Sequence, residues 1–156
     1  MAWWSYTVNK WRKFKQLTTR EQAWLLQAWL LLPVVKMMLW CCGYRRTFAV
    51  LQRFMYFGVT NGYDRAAQAE LLGRLVNIAA NHSLLVLTCL PRSLTLWWLS
   101  RRAGLAVEFR IGVRKEGGVF AAHAWVELAG WPVGDPSSGR FSPFAASFAQ
   151  LERRTL

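Results

Sequence analysis

Cys89-Leu90-Pro91-Arg92-Ser93-Leu94-Thr95-Leu96-Trp97-Trp98-Leu99 gives way beyond Gly104 to Val107-Glu108-Phe109-Arg110-Ile111-Gly112-Val113, and this change of period decides the fold. Pro91 suits a first helical turn, Leu94, Leu96, Trp97 and Leu99 continue the helix, and Gly104 ends it. Val107, Phe109, Ile111 and Val113 then alternate with Glu108, Arg110 and Gly112, the period-two pattern of a strand with one covered face. Lys115-Glu116-Gly117-Gly118 forms a turn, Val119 to Leu128 a return strand, and Ala129-Gly130 a second turn into a short strand ending near Asp135. The expected fold is α+β, a helix packed on an antiparallel meander.

The chemistry sits on the same stretch. Cys89 falls at or just before the helix N-terminus, where unsatisfied backbone amides and the helix dipole stabilise a thiolate. On the middle strand His123 shares a face with Ala121, Trp125 and Glu127, and Asp135 on the next strand can lie beside it. A thiolate attacks a carbonyl, an imidazole takes and returns the proton, and a carboxylate fixes the imidazole's tautomer. A helix-start cysteine packed against a sheet bearing His and Asp is the papain-like and transglutaminase-like arrangement. Cys89, His123 and Asp135 are therefore the candidate catalytic residues, with cysteine protease chemistry as the leading expectation.

Upstream, Thr18-Thr19-Arg20-Glu21 has the form of a capping box, so a helix begins near Thr19. It runs through Trp24, Leu25, Ala28, Trp29 and Leu32, with a kink or break expected at Pro33 and an end at Gly43. Tyr44 to Phe57 reads as a further helix stopped by Gly58. Ala69, Leu72, Leu75, Val76 and Ala79 recur at helical spacing between Ala66 and His82. Residues 1–60 are read as a basic, apolar helical extension and 61–156 as the core, in one continuous structural domain.

With 156 residues the chain is long enough for one domain with a hydrophobic core. Three cysteines, two of them the adjacent Cys41 and Cys42, make neither a disulfide framework nor a metal-ligand spacing. A reducing cytoplasm is the natural setting; no metal or cofactor is implied. Cys41 and Cys42 are expected to be small buried hydrophobes, and His82 a capping or surface residue. The 20 Lys and Arg against 8 Asp and Glu leave a charge of +12, which favours acidic partners. No nucleic-acid motif accompanies it, so nucleic acid ranks lowest. Ala23 to Cys42 is apolar enough to raise the question of a membrane, but Gln27, Pro33 and Lys36 favour a buried or membrane-surface helix over a span.

The strings Cys89-Leu90-Pro91-Arg92-Ser93-Leu94, Arg110-Ile111-Gly112-Val113-Arg114-Lys115 and Ala122-His123-Ala124-Trp125-Val126-Glu127, closing at Asp135, resemble the leader peptidases, or B proteins, of bacterial lasso-peptide biosynthesis. The likeness runs from near Arg20 to about Phe144. It implies a transglutaminase-like cysteine protease fold, with Cys89 as nucleophile, His123 as base and then acid, and Asp135 orienting His123. It also implies removal of a leader from a ribosomally made precursor, after which a separate ATP-dependent cyclase closes the core. The basic, helical start does not resemble the leader-binding module fused to some members, so the split form, with a separate leader-binding protein, is expected.

Arg92, Trp125 and Glu127 are secondary candidates for contacting substrate, each with a plainer reading: a helix-surface arginine, a shield over His123 and an outward strand residue. Trp24 and Trp29 are candidate anchors for the leader-binding protein or the cyclase. Two rivals use the same sequence: transglutaminase-like acyl transfer to an amine, and a non-catalytic, membrane-surface scaffold for the maturation complex.

Overall fold

The computed structural model describes residues 18–54, 64–83, 85–116, 119–135 and 137–143. Helix α1 covers Thr19–Arg53, α2 Arg65–Asn81 and α3 Cys89–Arg102; strands β1 (Val107–Glu116), β2 (Val119–Leu128), β3 (Trp131–Pro132) and β4 (Ser142–Pro143) follow, with a 3₁₀ turn at Ser138–Arg140 before β4. The expected α+β architecture with a long N-terminal helix is what forms.

α1 opens on the capping box. The Thr18 hydroxyl accepts from the Glu21 amide, and the Glu21 carboxylate accepts from the Thr18 amide at 2.6 Å. The helical backbone is interrupted at Gly43, where an end was expected, with φ 73° and ψ 173°; no break falls at Pro33, which stands inside α1. A proline inside a helix removes one amide and leaves the carbonyl four residues back without its donor. Here that carbonyl belongs to Trp29, an exposed residue that water can serve. Only glycine adopts the Gly43 backbone without a Cβ penalty, so the chain turns there. Cys41 and Cys42, at that turn, are exposed and not buried as their apolar surroundings suggested. Beyond Gly43 the helix ends at Arg53 with Phe54 as C-cap; the predicted continuation to Phe57 and the stop at Gly58 lie outside the described residues.

α3 is the hub. Pro91, Ser93, Leu94, Thr95, Leu96, Trp97, Leu99 and Ser100 are all buried, the pattern of a helix covered on every side. α1 and α2 pack on it and on each other, and its remaining side meets β1 and β2. Trp97 joins Phe48 of α1, at 4.7 Å between ring centroids, to Phe109 of β1 at 6.4 Å. The Trp98 indole N–H donates to the Leu51 carbonyl at 3.1 Å, tying α1 to the hub.

The sheet order is β3-β2-β1-β4, antiparallel throughout. Val107, Phe109, Ala124 and Val126 face the helices and belong to the main core. Pairing places Gly112 opposite His123 and Arg110 opposite Trp125, on the other face. The final predicted strand is shorter than expected: β3 stops at Pro132, and Asp135 stands on the turn beyond it, after Gly134 with φ 65°. Since β3 pairs only with Glu127 and Leu128, the edge of β2 at His123 has no strand beside it among the described residues. The N-terminus of α3 meets the sheet at that uncovered edge.

Candidate active site

A cavity of about 520 Å³ lies where the start of α3, the edge of β2 and the turn after β3 converge. Cys89, His123 and Asp135 all line it, joined by Asn77, Arg92, Trp125 and Ser137 among its polar and aromatic walls. Three residues separated by up to 46 positions thus reach one space.

Cys89 is the first residue of α3 and half-buried. Thr88, the N-cap, makes no side-chain capping bond. The first amides of a helix have no intrahelical acceptor, so the Cys89 and Leu90 N–H groups remain available at the nucleophile, while Pro91 contributes none. Ser93, one turn on, donates from its buried hydroxyl to the Ala124 carbonyl at 2.7 Å. That bond fixes α3 against β2 beside His123.

His123 Nε2 is hydrogen-bonded to Asp135 Oδ2. An ionised carboxylate only accepts, so Nε2 carries the proton and Nδ1 keeps the lone pair that can take a proton from a thiol. The ring stacks on Phe141 at 4.8 Å and lies parallel to Trp125 at 6.1 Å between centroids. The Arg114 guanidinium sits over Phe141 at 5.2 Å. His123 is held by rings on its flanks and by a carboxylate at its end.

Burial alone would raise the pKa of Asp135. The Ser137 hydroxyl at 2.6 Å, the His123 bond, the Ser137 amide at 2.9 Å and the electrostatic pull of His123 outweigh it, and the carboxyl lies below its ordinary 3.8. The Ser137 amide bond spans two residues, an Asx turn. Asp135 therefore stays ionised through the neutral range.

The turn bearing Asp135 is pinned to α2. A Cβ on Gly134 would stand 2.8 Å from Gly73 Cα, and one on Gly73 would stand 2.9 Å from Gly134 Cα. The Asn77 amide donates to the Gly134 carbonyl at 2.8 Å, and the Gly134 N–H points to Glu70 at 3.4 Å. Gly134→Ala forces a side chain into both a left-handed backbone and this contact. It is expected to cost about 2–3 kcal/mol and lower the melting temperature by several degrees, measurable by thermal denaturation.

The secondary candidates separate. Arg92 and Trp125 line the cavity; Glu127 does not. The Nε atom of Arg92 is buried and has no hydrogen-bond partner among the described residues. Glu127 accepts from the Trp125 indole N–H through Oε1 at 2.7 Å and from Arg110 through Oε2 at 3.1 Å, so one oxygen holds Trp125 and the other is taken by Arg110. Gly112 makes room for that ring: a Cβ there would stand 2.7 Å from the Trp125 indole. His82 is the exposed C-cap of α2 and is not among the residues that line the cavity. Trp24 and Trp29, five positions apart, project about 140° from each other around α1. Trp24 packs against the core under Arg20, and Trp29 is exposed.

Ser137, Phe141, Asn77 and the Gly73–Gly134 contact escaped the sequence reading. Two signals were present: Asp135-Pro136-Ser137 has the form of an Asx turn, and a glycine inside a helical pattern, as Gly73 is, usually has a packing reason. Phe141 gave none, since nothing local shows that the chain returns beneath His123.

No curated protein and no solved structure matches the chain. The profile of the transglutaminase-like superfamily matches residues 38–146, from the middle of α1 past β4. That span holds the whole cavity, and the chain belongs to the transglutaminase-like superfamily.

Proposed function

We propose that this protein is a cysteine peptidase that removes the leader from a lasso precursor peptide. The observation that carries the reading is the meeting in one cavity of a cysteine at a helix start and an imidazole bound through Nε2 to an ionised carboxylate. The three strings quoted above, which resemble lasso leader peptidases, supply the substrate class.

In this reading His123 Nδ1 takes the Cys89 thiol proton and the sulfur attacks the carbonyl at the leader–core junction. The oxyanion receives the Cys89 amide, and collapse of the tetrahedral intermediate breaks the C–N bond. His123 passes its proton to the departing core amine, leaving the leader as a thioester on Cys89. Water, deprotonated by His123, then attacks the thioester; the leader departs with a free carboxylate and Cys89 regains its proton. Asp135 keeps the imidazole oriented throughout. Arg92, on the cavity wall, holds the peptide in this reading. The core, freed at its amine, passes to a separate ATP-dependent cyclase, and a separate leader-binding protein delivers the precursor.

The superfamily fold also suits acyl transfer to an amine through the same thioester. Product mass in the presence of excess primary amine separates the two. Hydrolysis yields a leader with a free carboxylate, whereas transfer yields a leader carrying the amine. The expected product is the carboxylate; a predominance of the amide would overturn the peptidase reading in favour of a transferase.

A further inference from the structure

Leu26, Trp29, Leu30, Val34, Met37 and Trp40 are exposed large apolar side chains on α1, Trp40 by 82 %. Their spacing of three and four places them along one stripe of the helix, opposite the buried Leu25, Ala28, Leu32 and Val35. From Leu26 to Trp40 the stripe is about 21 Å long. No charged residue falls within it: Lys36 lies at its border, where its amine donates to the Val86 carbonyl at 2.8 Å.

Charge of one sign frames the stripe. Arg20 stands exposed before it, and Arg45, Arg46 and Arg53 stand exposed after it. The only acid of α1, Glu21, is occupied by the cap. The sequence ahead of α1 adds Lys10, Arg12, Lys13 and Lys15 with no acid. Large exposed apolar patches on soluble proteins mark interaction sites. An apolar stripe with a basic rim is the composition of helices that lie in the surface of an anionic bilayer. A protein partner ordinarily supplies about one hydrogen bond per 100–200 Å² of interface; six aliphatic, thioether or indole side chains offer almost no groups for that, and a lipid surface requires none.

We propose that α1 docks this protein on an anionic membrane surface, with the stripe among the acyl chains and the arginines among the headgroups. α1 is long and apolar enough to cross a bilayer by length and composition. Crossing would tear Leu25, Ala28, Leu32 and Val35 out of the core they share with α2 and α3, so the helix lies in the surface plane. The site is independent of the cavity chemistry.

The test is flotation of the full chain with vesicles of phosphatidylcholine alone or with about a third phosphatidylglycerol. Wild type is expected to partition at least about tenfold more strongly to the anionic vesicles, since each surface arginine contributes about 1 kcal/mol there. Met37→Ser with Trp40→Ser, and Arg45→Glu with Arg46→Glu, are each expected to reduce binding about tenfold or more with unchanged circular dichroism. Brominated acyl chains are expected to quench tryptophan fluorescence, and Trp40→Phe to remove part of that quenching. Wild type that stays with the soluble fraction, or shows no quenching, overturns the proposal. So does a wild-type dimer, seen by light scattering, that the Met37→Ser/Trp40→Ser variant separates, because a second copy would then cover the stripe.

Discussion

Cys89→Ala is expected to lower the rate of leader removal by at least roughly a thousandfold while the protein stays folded. Loss of the nucleophile in a working triad leaves only residual stabilisation by binding and the oxyanion donors. Cys89 is half-buried at the first position of α3, and alanine suits a helix, so stability should change by less than about 1 kcal/mol. The control is built into the chain. Cys41 and Cys42 are exposed on α1, outside the cavity, and Cys41→Ser with Cys42→Ser should retain near wild-type turnover. Single-turnover kinetics with melting curves on both variants checks this; a folded Cys89→Ala protein with undiminished cleavage would return the scaffold reading.

Asp135→Asn is the second large effect, at about 10²–10⁴-fold in turnover. The substitution preserves shape but exchanges an acceptor for a side chain whose amide also donates. His123 then loses the partner that keeps the proton on Nε2 and the lone pair on Nδ1. Because the loss concerns orientation in the reacting complex, it should fall mainly on kcat and leave KM within a few fold.

Stability should follow the same carboxylate with a definite sign. The folded-state pKa of Asp135 lies below 3.8: burial opposes the shift, and Ser137 and His123 overcome it. The stabilisation is therefore present above the unfolded-state value and lost as pH falls through the folded-state value. The gap in melting temperature between wild type and Asp135→Asn should be open at pH 6–7 and narrow below about pH 4. Melting curves across that range read it directly, and a gap that widens in acid would contradict the assignment.

What was legible in the sequence was periodic. The switch from the 3.6-residue period of Leu94 to Leu99 to the alternation of Val107 to Val113 yielded the central helix and the first strand, with the second following from its turns. The capping box at Thr18 gave the start of α1 to the residue. Gly43 was read as the end of a helical stretch, and there, free of a Cβ, the backbone leaves the helix; Pro33 does not break α1, because a missing donor opposite an exposed residue costs little in place. Asp135 was found but placed on a strand, because Pro132 and Gly134 look alike whether a strand continues or turns. Contacts between distant segments were beyond reach. Gly73 against Gly134, and Phe141 under His123, depend on how α2 and the chain after Asp135 close around the cavity, and no local pattern carries that. The choice between a buried and a surface-lying α1 stayed open for the same reason: an apolar helix reads alike whether both of its faces are covered or only one, and here only one is.

The most direct test of the peptidase assignment is mass spectrometry of a lasso precursor incubated with this protein and its leader-binding partner. Two products are expected, an intact leader with a free carboxylate and an intact core with a free amine, formed by wild type and absent with folded Cys89→Ala. Uncut precursor after incubation with folded wild type, under conditions where the partner demonstrably binds the leader, would contradict it.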